Sequence, residues 1–173
     1  IEYYESDGSI GVSFPAGIRV VGLISRSYPQ KSLNIYLRGG YGQSDVVYPF
    51  FDDYPVVDFQ SLTIRNSGQD LFYSHMKTAF FEMAVQDMDV DNMQQKPVAV
   101  YINGRYWGMY WLSENQNEDH FASAYDFDRD DIEVVRRNST AICGTNEEFL
   151  DVRKFARTHD MGIEENYNEF IGM

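Results

Sequence analysis

Cysteine is nearly absent from this 173-residue chain: Cys143 stands alone, so no internal disulfide can form and no cysteine-based zinc cluster can assemble. That single thiol is expected to be buried and inert. Basic residues are also scarce, with 14 Lys and Arg against 27 Asp and Glu and a formal net charge of -13. Such a balance disfavours a general attraction to phosphate backbones and argues against nucleic acid as a partner. A small anion such as a nucleotide stays open, because one lysine, backbone amides and a divalent cation can override the average field inside a pocket. No apolar run approaches the roughly 20 residues of a membrane span. His75, His120 and His159 lack HExxH spacing, and neither a GxSxG elbow nor a Walker glycine loop occurs, so hydrolytic and zinc chemistry are not expected.

What is present is apolar and aromatic: 43% of the chain is hydrophobic and 16% of the chain is Phe, Trp or Tyr, enough for one domain with a core. Ile1 stands where a methionine or signal peptide would be expected, which suggests a processed protein or a segment, and residues 168–173 carry no clear domain-closing signal. The first half reads as strands at 1–5, 9–14, 17–25, 31–38 and 61–66, each rich in β-branched or aromatic residues and joined by short connections such as Asp7-Gly8. Residues 39–58 lack helical periodicity and read as a long ordered loop. After Asp70, the residues Phe72, Met76, Ala79, Phe80 and Met83 recur at three- and four-residue spacing, predicting a helix whose apolar stripe packs on the sheet. Pro97 closes the next loop. Asn103-Gly104 between apolar runs predicts a tight hairpin, since both residues tolerate positive φ. An acidic segment, a short strand at 132–135 and a helix at 146–158 complete the reading. The fold class is α+β, a mostly antiparallel sheet with packed helices.

Candidate site residues follow from that layout. Lys31 opens a strand on the side of Leu33, Ile35 and Leu37, where a lysine must be paired or reach a pocket, and a strand lysine of this kind can neutralise nucleotide phosphates. The alternative is a strand-end lysine that snorkels to water. Glu82 lies on the flank of the helix stripe and is a candidate partner for Lys31, or else an exposed glutamate. His75, on the same flank, reads as structural. Asp126, Asp128, Asp130 and Asp131 resemble the start of a calcium loop, but Asp131 replaces the glycine at the sixth position and Arg137 the glutamate at the twelfth, so a solvated turn is expected. Asp87, Asp89 and Asp91 read the same way. No metal ligand is assigned. Asn138-Ser139-Thr140 fits a glycosylation sequon, which matters only in a glycosylating secretory context.

The blocks Gly17-Ile18-Arg19-Val20-Val21-Gly22, Lys31-Ser32-Leu33, Tyr41-Gly42, Leu62-Thr63-Ile64-Arg65-Asn66-Ser67-Gly68-Gln69-Asp70 and Tyr101-Ile102-Asn103-Gly104-Arg105-Tyr106-Trp107-Gly108-Met109-Tyr110 resemble, in order and spacing, the CotH family of spore-coat kinase-like proteins from about Ile1 to Asp126. Asn103 to Glu114 is the most specific part. Physically, the glycines let backbones turn or approach, the arginine-asparagine pair can bridge strand and loop, and the aromatics fill the sheet face. The resemblance implies a protein-kinase-like fold whose small lobe covers ATP and magnesium, with phosphorylation of protein as the activity. By that resemblance Lys31 becomes the phosphate-binding lysine and Glu114, at the end of the hairpin strand near a lobe connection, a second nucleotide-side residue; otherwise Glu114 is a solvated strand-end carboxylate. The chain departs from the family at Lys77-Thr78, where an arginine-aspartate pair is usual, and at Asn115, where a basic residue is usual. The family's later aromatic, asparagine and aspartate motifs would follow Met173, so residues 1–173 are read as one CotH-like domain cut short on its C-terminal side and inactive alone. A bacterial protein at the cell or spore surface, or secreted, is implied. The competing reading is a noncatalytic module in which Tyr41, Tyr48, Tyr106, Trp107 and Trp111 bind a protein or glycan.

Overall fold

In a computed structural model that describes residues 1–136 and 139–173, the chain divides into two units, Ile1–Gln116 and Asn117–Met173. The first begins with β1 (Glu2–Tyr4) and β2 (Ile10–Ser13), antiparallel across the Asp7-Gly8 turn. Asp7 ties that turn by accepting from the backbone and hydroxyl of Ser9 at 2.8 and 2.7 Å. Next come β3 (Gly17–Val21) and β4 (Ser32–Tyr36). Strand character expected through Ser25 stops at Val21, because Gly22 takes φ +110° and residues 24–27 wind into a 3-10 helix. The stretch read as a long loop is ordered by pairing of β5 (Val46–Val47) with β6 (Asp58–Phe59) and by its own aromatics, Phe50 and Phe51, which enter the core.

β7 (Ser61–Arg65), α1 (Lys77–Val85), β8 (Gln95–Ile102) and β9 (Arg105–Glu114) follow. The hairpin forms where expected: Asn103 and Gly104 adopt φ +51° and +76°, a left-handed pair whose twist suits a two-residue turn. Pro97 lies inside β8 instead of ending a loop. A proline without its N–H is tolerated there because β8 is an edge of the antiparallel sheet, whose order is β3-β4-β7-β9-β8.

The expected apolar stripe of α1 does not pack on the sheet. A 3-10 helix at 68–72 and a left-handed His75, φ +62°, separate Phe72 from α1 and shift the helical phase. Ala79 is 3% exposed while Phe80 is 64% exposed, so the inward face is Ala79 flanked by Thr78, Glu82 and Val85. Asp70 still starts the helix, accepting from Lys77 N at 3.0 Å across the intervening turn.

The second unit contains α2 (Glu118–Tyr125), β10 (Val134–Arg136) paired with β11 (Thr140–Cys143), α3 (Glu147–Thr158) and α4 (Glu164–Gly172). The expected strand and the expected helix near 146–158 are β10 and α3. α2 occupies the acidic segment, with Asn117 accepting from His120 N at 3.2 Å as its cap. Cys143 is half-buried on β11, not fully buried. No helix among the described residues is long and apolar enough to cross a membrane.

Candidate functional site

The strands of the large sheet carry two different faces. Side chains alternate along each strand, and the register brings Ile35 opposite Leu62, and Leu33 opposite Ile64, which in turn faces Leu112. Ile35, Leu62 and Leu112 are buried with Phe14, Leu37, Val46, Phe50, Phe51 and Phe59. One residue out of phase, Arg19 pairs with Asn34, Asn34 with Thr63, Thr63 with Ser113 and Ser113 with Gln95. A polar row therefore crosses all five strands.

Hydrogen bonds join this row internally. Thr63 Oγ1 donates to Asn34 Oδ1 at 3.0 Å, Asn34 Nδ2 to the Tyr36 hydroxyl at 3.0 Å, and Asn115 Nδ2 to Ser61 Oγ at 3.1 Å. Gln95 Nε2 is buried and has no hydrogen-bond partner among the described residues. At the α1 end of the same face stands Arg65, opposite Trp111. Burial pushes the Arg65 guanidinium below its ordinary value, and the nearby Glu82 carboxylate opposes that shift. Glu82 is not in direct ion-pair contact with it; its Oε2 accepts from Met93 N at 3.0 Å.

Asn66 bridges strand and loop as the arginine-asparagine pair suggests. Its Nδ2 donates to Gln30 O at 2.6 Å, its Oδ1 accepts from Ser32 Oγ and Gly68 N at 2.8 and 3.0 Å, and its backbone N–H reaches Ser32 Oγ at 3.0 Å. His75 is structural: its carbonyl accepts from Trp111 Nε1 at 2.7 Å and from Ser67 Oγ at 2.8 Å.

The three sequence-selected residues are held separately. Lys31 Nζ donates to the carbonyls of Arg26 and Tyr28 at 2.8 and 2.9 Å, fastening the turn before β4. It does not meet Glu82, because alternation sends Lys31 and the Arg65 row to opposite sides of the sheet, and Arg65 is the cation beside Glu82. Glu114 is 3% exposed, so it is no solvated strand-end carboxylate. Its Oε2 accepts from Gln94 N at 3.0 Å, and it lies two residues before the end of the first unit at Gln116. Arg65 was read from sequence only as half of a bridging pair with Asn66, and the Asn34-Thr63-Ser113 row was not singled out as a site. The signal was the polar alternate phase of the strands, Ser32 and Asn34, then Ser61, Thr63 and Arg65, but only the register stacks it.

Among the described residues no three His, Cys, Asp or Glu side chains gather as a metal site. Asp128 accepts from Asp130 N at 3.0 Å and caps a short 3-10 turn. Arg137, the twelfth position of the calcium-loop comparison, and Asn138 of the sequon lie outside the described residues. Of the five aromatics considered for binding, Tyr41, Tyr106 and Trp107 are substantially exposed. Tyr48 is half-buried in an aromatic cluster with Tyr3 and Phe50, and Trp111 is held by its bond to His75.

Comparison with curated proteins gives no match. The family profile described as CotH kinase protein matches residues 18–170. That match starts after the β1-β2 hairpin and continues beyond Asp126 into α4, a span different from the one read off the sequence blocks. With the profile covering most of its length, the chain belongs to the CotH kinase protein family.

Proposed function

We propose that this chain forms the nucleotide side of a CotH kinase whose complete form binds Mg-ATP and phosphorylates protein. The observation that carries the reading is the polar sheet face with Arg65 and Glu82 at its α1 end, in a five-stranded antiparallel sheet with one helix inserted between its third and fourth strands in chain order. A small lobe over a nucleotide needs such parts: a sheet face offering donors and acceptors, and a cation positioned by a helix carboxylate. Asn34, Thr63 and Ser113 are buried and would hold the polar face in shape, while Arg65 suits the phosphates because a guanidinium pairs well with phosphate oxygens. Lys31 and Glu114, in the opposite phase of the sheet, would support this face from behind by fastening the turn before β4 and the end of β9.

ATP supplies the phosphoryl group. The residues required to hold magnesium are not gathered among those described, so no step through the metal is derived from this chain. Cell-surface, spore-surface or secreted placement, and a protein acceptor, accompany this reading as proposals.

Calorimetry of Mg-ATP with the folded chain tests it. Saturable binding weakened about tenfold or more in Arg65→Met, and by less in Lys31→Ala, is expected. A folded chain that takes up no nucleotide, or binding indifferent to both substitutions, removes the nucleotide role from this segment. The exposure of Tyr106 and Trp107, with Tyr101 and Tyr106 rings 5.5 Å apart, favours a second reading in that event: an interaction module for a protein or glycan.

A further inference from the structure

Away from Lys31, at the other end of β4, a cleft of about 180 Å³ is lined by Gly17, Ile18, Arg19, Tyr36, Arg38 and Tyr41. Five strand steps separate Lys31 from Tyr36, about 16 Å at the usual rise per residue, so this cleft is distinct from the turn that Lys31 fastens. No acidic side chain lines it. In a chain with 27 carboxylates and 14 basic residues, partners for a cation are plentiful. Yet among the described residues neither Arg19 nor Arg38 forms an ion pair. Arg38 instead lies over the Tyr36 ring, its guanidinium carbon 5.5 Å from the centroid, an arrangement that orients the fork without neutralising it.

Backbone detail opens the same place. A Cβ on Gly17 would sit 2.5 Å from the Tyr41 ring, so glycine lets that ring lie against the strand and form a wall. Two like charges facing one cleft repel one another unless an anion lies between them, and guanidinium forks match the oxygens of phosphate. The volume is well below the ~300–1,000 Å³ of drug-sized sites, which fits one phosphoryl group or the end of a larger molecule bearing it.

We propose that the Arg19-Arg38-Tyr36-Tyr41 cleft is a phosphate-monoester site at the β3-β4 edge of the polar face, on strands other than the one that carries Arg65 and independent of magnesium. The two arginines supply the charge. The tyrosines supply hydroxyl groups and, for an aromatic ester, ring contact.

The test is calorimetric titration of the full chain with inorganic phosphate, phenyl phosphate and phenol, at low salt and with a chelator present. Saturable binding of both phosphates but not of phenol is expected, weakened at least about tenfold in Arg19→Gln and in Arg38→Gln and retained in Lys31→Gln. Tighter binding of phenyl phosphate identifies an aromatic ester as the natural group, and equal affinities identify free phosphate; both uphold the site. No saturable binding, or binding untouched by the two arginine substitutions, overturns it. Circular dichroism establishes that each variant is folded. Mg-ATP titrations keep the two sites apart: ATP binding by the unaltered chain with no saturable phosphate binding sinks the cleft alone, and phosphate binding without ATP binding sinks the nucleotide reading alone.

Discussion

On one face of the five-stranded sheet, Ile35, Leu62 and Leu112 are buried beneath Phe14, Phe50, Phe51 and Phe59. On the other, the same three central strands present Asn34, Thr63 and Ser113 in a single hydrogen-bonded row. The first face is stabilised by removing apolar area from water, about 25 cal/mol per Å², and its partners need shape more than orientation. Groups on the second gain only about 1 kcal/mol per hydrogen bond, and each costs more than that when left buried and unmade. The contrast teaches that this sheet separates its duties. One side holds the unit together by apolar burial, and the other carries oriented polar groups.

Substitutions can break that division. Phe50 contacts the rings of Tyr3, Phe14, Tyr48 and Phe59, so Phe50→Ala should lower stability by about 3–5 kcal/mol in denaturant unfolding. A loss below about 1 kcal/mol would show that the aromatic layer is not the main support. Asn66→Ala strands Gln30 O, Ser32 Oγ and Gly68 N at the margin of the sheet. We expect a loss of about 3 kcal/mol by the same measurement, since each unpaired buried group costs roughly 1–3 kcal/mol before water or relaxation compensates. Glu82→Gln should cost about 1 kcal/mol, the usual scale of a single loosely coupled charge, by removing the carboxylate that offsets burial of Arg65. Equal stability of that variant in denaturant would mean that the two groups do not communicate.

The pH ranges in which the two sides loosen should differ as well. Tyr48, on the aromatic side, donates to the Glu5 carboxylate, which, with a smaller contribution from burial, pushes its pKa from 10.0 up to about 12. The folded value exceeds the unfolded one, so this contribution is complete below pH 10.0 and is lost as pH rises through about 12. Comparing alkaline unfolding of the chain with Tyr48→Phe checks it, the variant losing that dependence. Asp70 has the opposite sense: hydrogen bonds from Ser74 and then Lys77 N hold its pKa below the ordinary 3.8. Its contribution is present above 3.8 and fades as pH falls through the lower folded value. Acid should therefore weaken the start of α1 first, and Asp70→Asn should flatten the acid limb of a stability profile followed by helical circular dichroism.

Local chemistry made much of the chain readable from its residues. Asn103-Gly104 specified a turn because both residues accept left-handed backbone, and the strands and α3 followed from patterns a few residues long. α2 escaped because its composition is polar, although Asn117 before Glu118 and Asp119 is a cap followed by acids in the first turn. The stripe on α1 misled for a different reason. Periodicity assumes one uninterrupted helix, and the left-handed His75 breaks the phase between Phe72 and Phe80. Of the site, Glu82 and Glu114 were visible as carboxylates at useful positions, but their partners, Arg65 nearby and Gln94 N, belong to other elements.

The amino-acid order by itself determined the strand alternation, the hairpin turn, the acidic balance and the motif blocks shared with the CotH family, since each depends on neighbours in the chain. Tertiary structure decided that Asn34, Thr63 and Ser113 lie side by side, that Lys31 binds two carbonyls while Arg65 stands by Glu82, and that Glu114 is buried. Those outcomes turn on strand order and register, which are set by the simultaneous burial of one face and hydrogen bonding of the other across residues distant in sequence.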